Sequence, residues 1–361
     1  MRMFLLNNRN QNIVSRGIVV ELRKLQLVGR ASFSVTLPPD WIKEYKLKPS
    51  DQITITREDD GSLRLTPGII RSEEKEVKIT IDADRCKDPG LLGELIVGGY
   101  IKGCDSIEVV SKHTISENHR REINDATNGL MGMGIVESTS NRVMLQSVVD
   151  VSKFPVGPLL KRLYGLISSM YEDALQALKD KDTSLAANVI NRENEVDKIY
   201  SLTRRQLVAA SIDKSVLKKI GLKGPSDLTF HIVALPMIWP VKNYAVNIAN
   251  NQLTLGEKWI DDADLQKVIR LGKIVHETFS NACEAFFNGN VILANNTLNS
   301  SKPIEKRNDE LAKDVSFRIK DFQVLTPLMN ILRDFSGIVR YAMTIADVTI
   351  DNSTAEKSNL P

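Results

Sequence analysis

Cysteine is scarce in this chain, with three in 361 residues, at positions 86, 104 and 283. An odd number so widely spaced supports neither a disulfide framework nor a Cys-x-x-Cys metal site, so the three read as small buried side chains. Histidine is almost as rare. His113, His119, His231 and His276 form no i,i+3 or i,i+4 pair and no His-Glu-x-x-His motif, which argues against zinc chemistry. Long hydrophobic runs are missing too: the longest, IVALPMIW, is interrupted by Pro236 and falls far short of the roughly 20 residues that span a bilayer. The first residues, MRMFLLNNRNQN, lack the apolar core and small-residue cleavage site of a secretory signal. These absences point to a cytoplasmic protein without an integral membrane segment. No Ser-His-Asp, Cys-His or Walker-loop signature is found, so a non-enzyme is expected.

What is present is ordinary in bulk, 42% hydrophobic, 26% charged and 6% aromatic, with enough length for two or three domains. The net charge of +3 is unevenly placed. Residues 1–50 hold nine Lys or Arg against three Asp or Glu, an excess of six, and the remainder carries −3. That asymmetry fits a nucleic-acid-facing N-terminus and equally a basic solvated face.

Residues 18–66 read as short strands with one small helix. IVVELRKLQLV and SFSVTL alternate in the β manner around Gly29-Arg30. PDWIKEYKL makes a turn of helix with Asp40 as its N-cap, and DQITITRED and GSLRLTP form a hairpin about Asp60-Gly61. So small a unit buries little on its own and needs a partner chain. The run RKLQLVGRASFSVTLPPDWIKEYKLKPSDQITITREDDGSLRLTP resembles the AbrB-type swapped-hairpin domain. That resemblance implies a dimeric β-barrel interleaved from two chains, with DNA contacted by Arg23, Lys24 and Arg30, and secondarily by Lys43, Lys46 and Lys48. Some relatives use the fold for dimerisation alone. Ser50 stands where that family commonly has Gly.

Residues 75–150 follow a β-α-β-α-β-β order, expected to fold as a small α/β sandwich that serves as a connector or a ligand-sensing domain. The glycines at 98, 99 and 103 end a helix rather than open one, so they are not a dinucleotide fingerprint. From 151 to 352 the pattern is helical throughout. Leu159, Leu160, Leu163, Leu166, Ile167, Met170, Ala174 and Leu178 make an apolar stripe behind Pro155 and Pro158.

Two Glu-x-x-x-Asp pairs recur in this half, Glu193 with Asp197 and Glu305 with Asp309. Carboxylates four apart on a helix share a face, repel, and favour a cation between them; the alternative is a solvated helix face. The segments around them superpose at a separation of 108 residues, placing Ala177 on Ala285 and Ala186 on Ala294. Four extra residues, SSKP, then bring the acidic pairs into register. ALQALKDKDTSLAANVINRENEVDKIY and VKNYAVNIANN resemble the PhoU family of three-helix repeats, a cytosolic brake on phosphate import and signalling. The whole arrangement resembles the archaeal phosphate-uptake-regulator type. The resemblance implies carboxylates that hold divalent metal or iron, with Glu193, Asp197, Glu305, Asp309, Asn243 and Asp347 at the ligand positions. Departures are plain: Asn243 and Asn250 replace acids, and Arg340 and Thr344 stand in the second copy, so Arg340 is expected to bridge Glu305 and Asp309.

The expected protein is therefore multidomain α+β: an AbrB-like head over 1–70, an α/β segment over 71–150, PhoU-like repeats over 151–352 (151–256 and 257–352), and a disordered tail over 353–361. The resemblances imply a homodimeric, DNA-binding regulator of phosphate transport. The other reading is an adaptor that docks on a phosphate transporter or membrane kinase and uses its head only to dimerise.

Overall fold

The computed structural model describes residues 12–15, 18–57, 61–68, 76–256 and 261–355. The chain divides into two compact units, Met1–Lys75 and Glu76–Pro361. In the first, three antiparallel hairpins stand separately: β1 (Asn12–Ser15) with β2 (Ile18–Glu21), β3 (Gln26–Val28) with β4 (Ser32–Ser34), and β5 (Ile53–Arg57) with β6 (Leu63–Pro67). The strand expected to run through IVVELRKLQLV is two strands with different partners, separated at residues 22–25. Gly29, at φ 69°, supplies the left-handed turn between β3 and β4.

Helix α1 (Pro39–Glu44) begins one residue before Asp40, which sits in its first turn instead of capping it. Pro38 occupies the cap and Pro39 the position where a missing N–H costs nothing. Ser50 adopts φ 77°, the left-handed conformation that explains why glycine suits this turn. Asp60 lies outside the described residues. No sheet closes into a barrel among the described residues, and none of the unit's described side chains is buried.

The second unit opens with a four-stranded sheet in the order β7 (Lys78–Asp82), β8 (Ser106–Val110), β10 (Arg142–Ser147), β9 (Met133–Ser138). β7 and β8 are parallel and the other pairs antiparallel. Helices α2 (Leu91–Ile101) and α3 (Glu117–Asn128) pack together against it. Alternation along the strands turns Ile81, Ile107, Val109, Val143 and Leu145 into that contact, while Lys78, Glu108, Arg142 and Glu137 form a ladder of ion pairs on exposed or half-exposed positions. Gly99 lets α2 lie close: a Cβ there would stand 2.6 Å from Cδ1 of Ile79.

Helices fill the rest: α4 (Val156–Asp180), α5 (Thr183–Asn191), α6 (Glu193–Ile212), α7 (Lys214–Lys219), α8 (Pro225–Ile238), α9 (Val241–Leu255), α10 (Asp262–Asn288), α11 (Val291–Arg318) and α12 (Phe322–Ala355). The 108-residue register is written into the turns. α4 ends at 180 and α10 at 288. The next residues, Lys181 and Gly289, are both left-handed, at φ 60° and 62°. Asp182 and Asn290 then cap the following helices by accepting from the N–H of Leu185 and Leu293. What is one helix in the second copy is broken in the first. α5 and α6 part at Arg192 where α11 runs on, and its four extra residues add about one turn, which keeps its faces in phase. α8 and α9 part at Trp239-Pro240, where α12 is continuous. α12 also reaches Ala355, so residues 353–355 of the expected tail are helical; 356–361 lie outside the described residues.

The two copies meet along α4 and α10 by a local twofold. Ser168 and His276, equivalent in the repeat, touch each other, with Oγ and Nε2 2.7 Å apart. Tyr171 donates to the carbonyl of Gly272 at 3.0 Å, and the equivalent pair, Phe279 and Tyr164, packs with ring centroids 5.8 Å apart. Among the described residues of the helical body two carboxylates are buried, Asp264, which Arg318 pairs, and Asp334. Asp334 is 3% exposed, its Oδ2 has no hydrogen-bond partner, and burial pushes its pKa up to about 6, against smaller opposing effects of Arg333 and Asn247. A folded pKa above the unfolded value gives stability that is complete below pH 3.8 and lost as pH rises through about 6. Asp334→Asn is therefore expected to stabilise the protein by about 2 kcal/mol at neutral pH and to flatten the slope of stability between about pH 4 and 6. Urea midpoints of both proteins across that range check it, and parallel curves would refute the assignment.

Candidate functional site

Glu193 opens α6 and Asp197 follows one turn later, so both carboxylates face α9. The cation between them is a side chain of this chain. Lys242 Nζ lies 2.6 Å from both oxygens of Asp197 and 3.1 Å from Glu193 Oε1. Trp239 Nε1 donates to Asp197 Oδ1 at 2.7 Å, its ring stands 5.0 Å from the ammonium, and Tyr200 stacks on it with centroids 4.6 Å apart. Lys242 is 2% exposed, whereas the two carboxylates keep contact with water. The break between α8 and α9 is what brings Trp239 and Lys242 to the pair together.

This donor set does not fit a metal ion. An ammonium already sits where the cation would lie, and Asn243, the third expected ligand, makes no side-chain hydrogen bond. In the second copy Glu305 is half-exposed and Asp309 exposed, neither in an ion pair, and the counterpart of Lys242 is the buried Val339. The expected bridge from Arg340 to Glu305 and Asp309 is absent; Arg340 is exposed on α12. Asp347 stands away from any such cluster, its carboxyl raised by burial and then by the charge of Asp351. Among the described residues no group of three His, Cys, Asp or Glu could hold a metal.

In the N-terminal unit the expected DNA-contacting residues divide. Arg23 is half-buried and held by Glu21. Lys24 and Arg30, flanking β3, are exposed, as are Lys43, Lys46 and Lys48 at the end of α1, and none of the five has a side-chain partner among the described residues. Their neighbours are exposed apolar residues: Leu25, Leu27, Phe33 and Ile55 each show over 60% of their surface.

Two constellations escape sequence reading because their members are about 100 residues apart. Arg205, 4% exposed on α6, donates to the carbonyls of Tyr100 (2.6 Å) and Cys104 (2.8 Å) and lies over the Tyr100 ring, so it caps the C-terminus of α2 and fastens the sheet to the helices. Ser168, His276 and Glu172 resemble a nucleophile, base and orienting acid, with His276 Nδ1 3.6 Å from Glu172. Ser168 lies in mid-helix, where backbone N–H groups are spent in the ladder and cannot stabilise an oxyanion, so the trio joins α4 to α10 without the parts of a hydrolase. Burial lowers the His276 pKa, which keeps it neutral at pH 7.

Comparison with known sequences matches residues 160–236 to the PhoU domain and residues 26–75 to the antidote-toxin recognition MazE, bacterial antitoxin family. No curated protein sequence matches. Similar solved structures include the phosphate transport system regulatory protein PhoU from Streptococcus pneumoniae, 18% identical over 57% of this chain and 96% of that one, with a TM-score of 0.49. PhoU from Pseudomonas aeruginosa is likewise 18% identical, covering 55% and 96% at a TM-score of 0.49.

Because Lys242 is buried and its partners are not, the clamp is asymmetric. Asp197→Asn, which strips a buried ammonium of its nearest counter-charge, is expected to cost about 3 kcal/mol in chemical denaturation, and Lys242→Met less. Lys242→Met also frees two carboxylates, so manganese is expected to raise the melting temperature of that variant and leave the wild type unmoved. A manganese shift in the wild type that Glu193→Gln with Asp197→Asn abolishes would restore the metal.

Proposed function

We propose that this chain, with PhoU-domain sequence over 160–236 and MazE-type sequence over 26–75, is a PhoU-type regulator of phosphate transport whose basic head binds DNA as a homodimer. The observation that carries this is a head without a core. Its described residues hold several exposed leucines, Phe33 and Ile55, bury nothing, and present five unpaired cations. A second copy that interleaves its hairpins would cover the apolar faces and double the excess of basic charge. Such a charge neutralises phosphates and releases counterions.

Lys24, Arg30, Lys43, Lys46 and Lys48 are the proposed contacts, with Arg23 secondary because Glu21 already holds it. The helical body, its first acidic pair closed by Lys242, is the sensing half. A ligand or partner that prefers one arrangement of the body over another supplies the free energy to bias the head. Control then reaches phosphate-transport genes through DNA, or transporter activity directly.

Fluorescence anisotropy on fragmented genomic DNA over a range of salt tests this. Lys24→Ala with Arg30→Ala is expected to reduce the log–log salt slope by about 2, whereas Arg23→Ala changes it less. Phe33→Arg is expected to convert dimer to monomer in sedimentation and to abolish tight binding. An intact dimer with no DNA affinity at low salt would overturn the DNA reading and leave an adaptor for a phosphate transporter or membrane kinase.

A further inference from the structure

One matched pair of positions reverses its charge between the two copies of the helical unit. In the first, Arg162 on α4 reaches Glu195 on α6 at 3.4 Å. The 108-residue register puts Arg270 on α10 in place of Arg162, and the register of the acidic pairs puts Arg307 on α11 in place of Glu195. An ion pair in one copy is thus two guanidiniums in the other. Both line a groove of about 510 Å³ between α10 and α11, floored by Leu271, Ile274 and Leu311.

The acids nearby do not neutralise them. Asp314 is taken by Arg318 at 2.7 Å and Lys267 at 3.4 Å, and both hold its carboxyl below the usual range. Glu310 points to Lys306 at 3.8 Å. Arg270 gives only its Nε, to the carbonyl of Gln266, and Arg307 has no side-chain partner among the described residues. Two forks are left with their terminal nitrogens unspent.

We propose that this groove on the second repeat binds a dianionic phosphoryl group, free or at the end of a small molecule, bridged between Arg270 and Arg307. A guanidinium fork offers paired N–H donors that match two oxygens of such a group, and an oxyanion of charge −2 balances both cations at once. The first copy cannot do this, since Glu195 already satisfies Arg162. The inference stands on the internal repeat and is independent of DNA binding by the head.

Calorimetric titration of the full-length protein tests it with three probes at fixed ionic strength: inorganic phosphate, pyrophosphate and adenosine diphosphate. Saturable binding at one site per chain is expected. Arg307→Glu should weaken it at least tenfold while preserving the fold, because it rebuilds the Arg162–Glu195 pair on the second repeat; Arg270→Gln should weaken it likewise. Binding of phosphate identifies the free anion as the occupant, and binding of only the larger probes identifies a carried phosphoryl group. Affinity unchanged in Arg307→Glu, or no saturable binding of any probe by the wild type in the millimolar range, would overturn the proposal.

Discussion

The close approach of α4 to α10 is the contact on which the body depends. Gly272 has no room for a side chain: a Cβ would meet Leu175 at 2.7 Å and Phe335 at 2.8 Å, so the two helices and α12 converge on one backbone. Tyr171, fully buried, ends its hydroxyl on that carbonyl and thereby satisfies the polar atom that its burial would otherwise orphan. Equivalent residues meet across this seam and the turns at Lys181 and Gly289 stand at matched places, while the breaks at Arg192 and Trp239-Pro240 occur in the first copy alone. Where the helices match, differences between copies are differences of side chain.

Those differences are mostly in charge. At the first acidic pair the chain places its own lysine between the carboxylates, a positive charge held by the fold itself. At the second pair, Val339 stands for Lys242 and the carboxylates remain in water. The groove beside it reverses the sign of a matched residue, Glu195 to Arg307. At these two places the first copy closes its polar contacts with its own side chains and the second leaves them open, although elsewhere the second copy has closed contacts of its own, as where Arg318 holds Asp264 and Asp314.

Much of this was legible in the amino-acid order. Apolar spacing placed α4, the 108-residue register aligned the segments on either side of the turns at Lys181 and Gly289 without foretelling the turns themselves, and the alternation between 75 and 150 gave the strand and helix order. The first acidic pair was legible as a demand for a cation; the second, with no ion pair among the described residues, follows the alternative of a solvated helix face. The identity of that cation was not legible, because Lys242 lies 45 residues from Asp197 and reads as one more solvated lysine until Pro240 breaks the helix before it. Ser168 with His276 and Arg205 with Tyr100 were hidden for the same reason: period and propensity report neighbours along a helix, while these contacts exist only once helices pack. Strand limits in the head misled where residues 22–25 left the ladder, since alternation specifies a face and says nothing of when pairing changes partner.

The head makes the converse argument. A segment that displays leucine, phenylalanine and isoleucine without burying any of them has a stability that cannot be assigned to one chain. On the proposed homodimer, its folded form is tied to partner concentration by mass action, so anything that gathers chains together also orders their heads. On the same proposal, DNA that spans two basic hairpin sets would act in that direction, because each phosphate neutralised removes part of the repulsion between two like-charged copies. Assembly, folding of the hairpins and phosphate neutralisation would then favour one another, and the apolar surface left bare in one chain is the physical reason for proposing it.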